Sequence, residues 1–487
     1  MTMIRQLRVT LFTLIAVVLV GPIEDSGAVA LSSDGAGQAL IYPYYTVRAS
    51  NGNAFNTYVS LLNHTSGVKA LRVRFREGRN SREVAEFNLF LSALDVWTAA
   101  IVPTSDGARM ISTDRSCTSP ALAAPSGEVP GITFSGVGYV GDGHGDELDR
   151  VREGWIEVIE MATLTGASAG AATHGRTSMT PANCPALQGG AAVETAAPVG
   201  GLSGTLTLIN VNNGMDFTLN ADALSELSST AFYRTASDPY PDFNAAEVSP
   251  VSVVTANGFV YRSTWNRGVD AVSAVLMRSK WFGEFTLDAG TKSRTDFVVT
   301  FPTRHHYVGG GAAASPFDAN CAFPTDTYAG ERIELRYHNR EEFGGIYEPF
   351  SPAPATPSFR CGASTVVDFH DGSAHTATTL DTHVLGSLNR GLSELGMFAV
   401  GFPGPGWAAF TIVTTNKSLD SLETSSRMRI STGETTSGSH RYTGVPLTGF
   451  VARTFENGAL DCGGGVCQGN YGGAFPLRYE RSITPSN

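Results

Sequence analysis

Charge is scarce in this 487-residue chain: Asp, Glu, Lys and Arg make up 16% of it, against roughly a quarter in ordinary soluble domains. The balance is negative, with a formal net charge of −11. Nucleic acids and anionic lipids are held by concentrated Lys and Arg, so this balance argues against both as partners. Helix signals are almost absent, and no βαβ rhythm appears, which sets aside the α/β enzyme scaffolds. No fixed-period repeat occurs. Beyond the first 30 residues no segment is long and apolar enough to cross a bilayer, which takes about 20 residues. The six cysteines lack finger spacing: Cys462 and Cys467 have no second Cys/His pair behind them, so zinc is not expected.

Small and turn-forming residues fill the gap, with 54 Gly alongside abundant Ser, Thr and Ala. Residues 1–30 read as an export signal. Arg5 and Arg8 supply its positive start, Leu11 to Val20 its apolar core, and Ala28-Val29-Ala30 a small-residue cleavage site. The mature chain is then expected to begin near Leu31. The signal contains Arg5, Arg8, Glu24 and Asp25, so its loss leaves the net charge unchanged. The chain closes on the polar RSITPSN, so no sorting tail is expected. The expected location is the periplasm, the cell surface or the medium, with no integral membrane segment after cleavage.

Cys117, Cys184, Cys321, Cys361, Cys462 and Cys467 all follow the signal. An even count in an exported chain favours disulfides. Fifteen pairings exist, and proximity favours Cys117–Cys184, Cys321–Cys361 and Cys462–Cys467.

Strand patterns dominate what remains. Leu71, Val73 and Phe75 alternate with Arg72, Arg74 and Arg76, the period-two signature of a strand with one buried and one wet face. Phe87, Leu89 and Leu91 repeat the pattern, and Val96 to Val102 is a more apolar run. Strands are also expected at Gln38 to Val47, Asn56 to Leu62, Gly131 to Val140, Trp155 to Ala162, Thr205 to Val211 and Met215 to Leu219, with turns at Asn51-Gly52 and Asn212-Asn213-Gly214. Thr163 to Gly201 reads as a mobile loop with little to bury, anchored by Cys184, and Asp222 to Leu227 as a short helix. Val269 to Val308 reads as three strands, and Ser364 to Phe369, Trp407 to Thr414 and Thr448 to Phe455 as further ones. The expected fold is all-β, immunoglobulin-like β-sandwich domains with long Gly/Ala/Thr-rich loops. Its expected divisions are a β-sandwich region over 31–310, a loop and Pro-rich linker over 311–359, and a C-terminal β-domain over 360–487.

Chemical motifs are few. Gly166-Ala167-Ser168-Ala169-Gly170 matches the nucleophile-elbow pattern, with His174 nearby, but AATHGRTSMTP is a poor helix to follow it. Gly136 to Gly141 matches a dinucleotide pattern but runs into a turn. Asp142, Asp146, Asp149 and Glu153 form the candidate metal site, with calcium as the one candidate ion. His144 and Glu147 break the calcium-loop pattern at its third and sixth positions. The pairs Glu153/Glu157 and Glu331/Glu334 have the residue type for glycoside cleavage. Four apart on a strand places carboxylates about 13 Å from one another, too far for that chemistry, and three apart turns them to opposite faces. Both pairs are expected on wet faces. His305 and His306, at a strand end, are expected to point oppositely. Trp97, Trp155, Trp265, Trp281 and Trp407 read as core, with sugar stacking the alternative.

The blocks IYPYYTV (Ile41 to Val47), Arg72 to Ala100, VDAVSAVLMRSKW with TKSRTDFVVTFPTRHHYV, and GNYGGAFPLRYERSITP resemble a group of uncharacterised exported proteins of proteobacteria. The resemblance covers most of the mature length and implies secretion and a shared β-rich architecture. It carries no activity, cofactor or site residue. The expected function is a structural, adhesive or assembly role at the cell surface, toward envelope or matrix components or further copies of the chain. The alternatives are an extracellular glycan-binding module and a secreted hydrolase.

Overall fold

The structure is a computed structural model. It describes residues 27–486 apart from 51, 126, 146, 189–192, 289–290, 310–311, 318–330, 332, 343, 347–361, 370–383, 390–403, 414–416 and 462–465. The expected pairs Cys321–Cys361 and Cys462–Cys467 fall at or beside those gaps and lie outside the described side chains. So does Asp146.

The N-terminal half supplies eight long strands: β1 (Ala39–Thr46), β2 (Asn56–Asn63), β3 (Val68–Glu77), β4 (Glu83–Leu91), β5 (Val96–Pro103), β6 (Glu153–Leu164), β7 (Leu202–Asn210) and β8 (Met215–Asn220). They form two antiparallel sheets. One runs β1-β6-β3-β4, and the other β5-β2-β7-β8. Between them lies one core, where Leu71, Val73, Phe75, Phe87, Leu89 and Leu91 meet Val59, Leu61 and Trp97. All six residues expected in the core from β3 and β4 are at most 1% exposed. The fold is all-β and sandwich-like, as the alternation predicted.

The opposite face of β3 corrects the expectation of a wet side. Arg72, Arg74 and Arg76 are at most 7% exposed. Register explains how three cations are tolerated there. Arg74 stands opposite Glu157 on β6 and opposite Glu86 on β4, at 2.5 Å and 3.1 Å. Residues 235–241 then close over the arginines with backbone oxygens: Thr235 and Tyr240 accept from Arg72, and Pro239 and Pro241 from Arg74. A period-two pattern reports that two faces differ, and it does not say that the polar one meets water.

Thr163 to Gly201, expected as a loop with little to bury, carries two short helices, α1 (Gly166–Ala172) and α2 (Cys184–Gln188). Ala171, Ala172 and Leu187 pack on Phe90 and Met161, and the Cys117–Cys184 disulfide fastens the layer. Asp222 to Leu227 is not a helix. Asp222–Ser225 is a strand, paired with β1 on one side and with Ala30–Leu31 on the other.

In Val269 to Val308 the first expected strand is a helix, α3 (Gly268–Leu276), and every one of its residues is buried. Valine favours strands only weakly, and complete enclosure overrides that preference here. The strands beyond it are β9 (Lys280–Leu287), β10 (Arg294–Thr300), β11 (Ile333–Asn339), β12 (Ser364–Phe369), β13 (Gly404–Ile412), β14 (Thr448–Asp461), β15 (Val466–Pro476) and β16 (Arg478–Glu480). One sheet runs β11-β13-β9-β16 and a second β12-β10-β14-β15. Phe285 and Phe410 of the first meet Phe297 and Phe369 of the second. Strands from both sides of 311–359 thus share sheets, so pairing runs across the boundary expected there.

Candidate functional site

Each candidate from the sequence has a definite place. Arg150 organises the acidic turn: its guanidinium donates to Asp142 at 3.0 Å and to the Gly145 oxygen at 2.6 Å, pairs with Glu77 at 3.2 Å and lies 3.9 Å over the Tyr139 ring. Arg48 bridges Asp149 and Glu153. Glu153 also accepts from Tyr44 at 2.8 Å, from Ser387 at 2.5 Å and from the Leu388 N–H at 3.0 Å. Asp142 is directed to Arg150, with Arg82 at 3.7 Å, and Asp149 and Glu153 to Arg48, with Arg152 also on Asp149 at 2.9 Å. Among the described residues no group of three or more His, Cys, Asp or Glu is placed to hold a metal ion.

Glu153 and Glu157 are buried, correcting the expectation of a wet face. Burial alone would raise the Glu157 carboxyl, but Arg76 and Arg74 outweigh it and hold it at about 2. A carboxylate fixed that far down cannot act as an acid near neutrality. Glu331 is buried against Lys417, and Glu334 is turned to Arg336. His305 and His306 sit on a one-turn 3-10 helix, Arg304–His306, and not at a strand end. Their rings therefore lie 4.0 Å apart instead of diverging. Burial holds both imidazoles neutral, His306 at about 3.

Ser168 lies in the first turn of α1, where its Oγ accepts the Glu194 N–H at 2.9 Å. The Glu194 carboxylate in turn accepts the Ala167 N–H and so serves as the helix cap. His174 is held elsewhere. Its Nδ1 is 2.9 Å from Ser92 Oγ and 3.5 Å from Asp95 Oδ2. That Ser-His-Asp grouping was not legible in the sequence, because its members come from the β4–β5 turn and the exit of α1. Catalysis of that type needs Ser and Asp on different ring nitrogens. Here one nitrogen faces both, and Ser92 Oγ donates to the Ala172 oxygen at 3.1 Å. The grouping ties α1 to the sheet.

A solvent-facing groove lies elsewhere in the molecule. On the outer face of the β11-β13-β9-β16 sheet, register sets His338, Trp407 and Glu284 in one row. Trp407 is 41% exposed, whereas the other four tryptophans are at most 4% exposed. Its ring stacks on His338 at 4.9 Å and 24°. Beside it runs a groove of about 530 Å³ between this sheet and β14–β15. Phe282 and Phe475 add aromatic surface; among the described lining residues Lys280, Arg453 and Arg478 stand with one carboxylate, Glu284, and Lys280 is also paired with Glu480 at 2.9 Å. Arg453 lies 3.9 Å over the Phe475 ring and reaches Glu284 at 3.4 Å, while its Nε has no hydrogen-bond partner among the described residues. Gly283 permits the close approach at the groove floor, since a Cβ there would stand 2.7 Å from the Val451 side chain. Sequence reading weighed Trp407 for sugar stacking but not its partners, which come from strands far apart in the chain, from Lys280 to Arg478.

These features define an all-β protein with a solvent-facing aromatic groove. No family model and no curated protein matches the chain. Among solved structures, the adhesive subunit CfaE of the CFA/I fimbria of enterotoxigenic Escherichia coli aligns over 92% of this chain and 93% of its own, at 9% identity and a TM-score of 0.08. At that TM-score the two backbones do not superpose, and the likeness carries no argument.

Proposed function

We propose that this is an exported, non-catalytic protein that acts by adhesion, and that the Trp407 groove is its contact for saccharide. The half-exposed Trp407 carries the reading. An indole face left in water beside two more aromatic rings is a costly surface unless something covers it, and sugar rings present flat C–H faces to such platforms. The lining adds three cations and one carboxylate, donors and an acceptor suited to hydroxyl and carboxylate groups. An acidic saccharide fits that balance better than a neutral one, even on a chain of net charge −11.

Glycoside hydrolysis uses two carboxylates about 5 to 9.5 Å apart. Among the described lining residues Glu284 is the only one, which favours binding over the hydrolase alternative. Export is supported by the signal-like start and by the Cys117–Cys184 disulfide; among the described residues no helix is long and apolar enough to cross a membrane. A glycan array probed with the wild type and with Trp407→Ala tests the reading. Retention of acidic glycans by the wild type alone is expected, and identical profiles would contradict it.

A further inference from the structure

We propose that the export signal is removed between Ala28 and Val29, two residues ahead of the cut that Ala28-Val29-Ala30 suggests, so that Val29 is the mature N-terminus. The inference rests on the export reading of residues 1–30 and is independent of the groove.

Val29 is fully buried, inside the core cluster that also holds Trp155, Leu224 and Val254. Its backbone is part of a ladder. The Val29 N–H donates to the Val251 oxygen at 2.7 Å, and its carbonyl accepts the Val253 N–H at 2.8 Å, a bridge centred on Ser252. Ala30 and Leu31 continue into the pairing with Ser225 and Leu224. A cut after Ala30 would remove a fully buried side chain and leave the Val251 carbonyl and the Val253 N–H of a part-buried strand without these partners, a loss folded proteins avoid.

Export peptidases require small residues at the last position before the cut and two positions earlier. Ahead of Val29 and after the apolar core, one register satisfies this: Ser26-Gly27-Ala28. Cutting after Gly27 or Ser26 would place Asp25 or Glu24 at the earlier position. Water then adds across the Ala28–Val29 peptide bond, leaving a carboxyl group on Ala28 and a new amino group on Val29. The cut falls on the translocating chain before folding, so burial of Val29 in the product does not hinder it. The product accommodates the new charge. In the uncut chain the Gly27 N–H, two residues ahead of the new ammonium, donates to the Glu226 carboxylate at 3.3 Å, and the ammonium still donates to the Val251 oxygen.

N-terminal sequencing and intact mass of the full-length product, secreted from a Gram-negative host, test this. The expected start is Val29-Ala30-Leu31. A start at Leu31 overturns the cleavage register while leaving export intact, and a chain that keeps Met1 overturns the export reading itself. Ala30→Gln provides the control: it blocks a cut after Ala30 but leaves Ser26 and Ala28 untouched. Normal processing of this variant is expected, and its failure to be processed would overturn the proposal.

Discussion

Arg74 and Glu157 form a 2.5 Å ion pair between neighbouring strands of the first sheet, with side chains 1% and 0% exposed. The pair lies where the sequence shows an ordinary polar strand face. Arg76 shares the same carboxylate at 3.2 Å, so Glu157 is the hub of a buried charge network. Removing one member of such a pair strands the others, at a cost of about 3 to 5 kcal/mol. Glu157→Gln is expected to lose that much in urea denaturation. Arg74→Met combined with Glu157→Leu is expected to lose less than the two single changes together, and strict additivity would show that the residues do not act as a unit.

Two buried carboxylates give opposite pH dependences. Glu157 has a folded value near 2, below the unfolded one, so its stabilisation is present above about pH 4.5 and is lost as pH falls toward 2. The shift corresponds to about 3 kcal/mol. Asp296 is pushed up to about 8, first by burial and then by Asp368 on the neighbouring strand. Its penalty is absent below about pH 4 and grows as pH rises toward 8. Asp296→Asn is therefore expected to melt progressively higher than the wild type between pH 5 and 8.5, by an amount on the order of a few kcal/mol at the upper end. A constant difference across that range would remove Asp296 as the source.

The Cys117–Cys184 disulfide closes a sequence separation of 67 residues, for which chain entropy predicts about 4 kcal/mol. Replacing both cysteines by Ala is expected to lower the melting temperature and to expose α1 and α2 first to protease. Limited proteolysis followed by mass analysis reads this directly, with first cuts expected between residues 165 and 188. First cuts elsewhere would mean that the helical layer is held without the bridge.

Lys69 and Glu160 are a second buried ion pair, 2.8 Å apart with both side chains 0% exposed. The Glu160 carboxylate also accepts the N–H groups of Val199 and Gly200. Lys69→Met is expected to destabilise the fold by about 3 kcal/mol, because the carboxylate is left in the interior without its cation. Adding Glu160→Gln is expected to recover part of the loss, since it removes the unpaired charge while the amide oxygen still accepts one of the two backbone N–H groups.

The legible part of this chain was the part set by local periodicity. Leu71 to Leu91 declared both strands and their inward residues, because alternation is a property of consecutive side chains. Arg72, Arg74 and Arg76 looked wet because alternation is the same whether the polar face meets water or a neighbour's carboxylates. Helix α3 was hidden behind its valines. The five tryptophans are indistinguishable in sequence, and only assembly decides that four are core and Trp407 is not. The groove was illegible for the same reason: Glu284, Trp407, Arg453 and Phe475 come from four strands that meet only in the folded sheets.

That contrast supplies the most direct test of the proposal that the Trp407 groove binds saccharide. With the other four tryptophans buried, acrylamide quenching of intrinsic fluorescence should report a single accessible indole, lost in Trp407→Ala. Titration with an oligogalacturonate should shield that indole, and a neutral cello-oligosaccharide should shield it less. Added salt should weaken the effect of the acidic ligand, because Lys280, Arg453 and Arg478 contribute through charge. Quenching unchanged by either saccharide would contradict the account, as would equal binding of the oligogalacturonate by the wild type and Trp407→Ala.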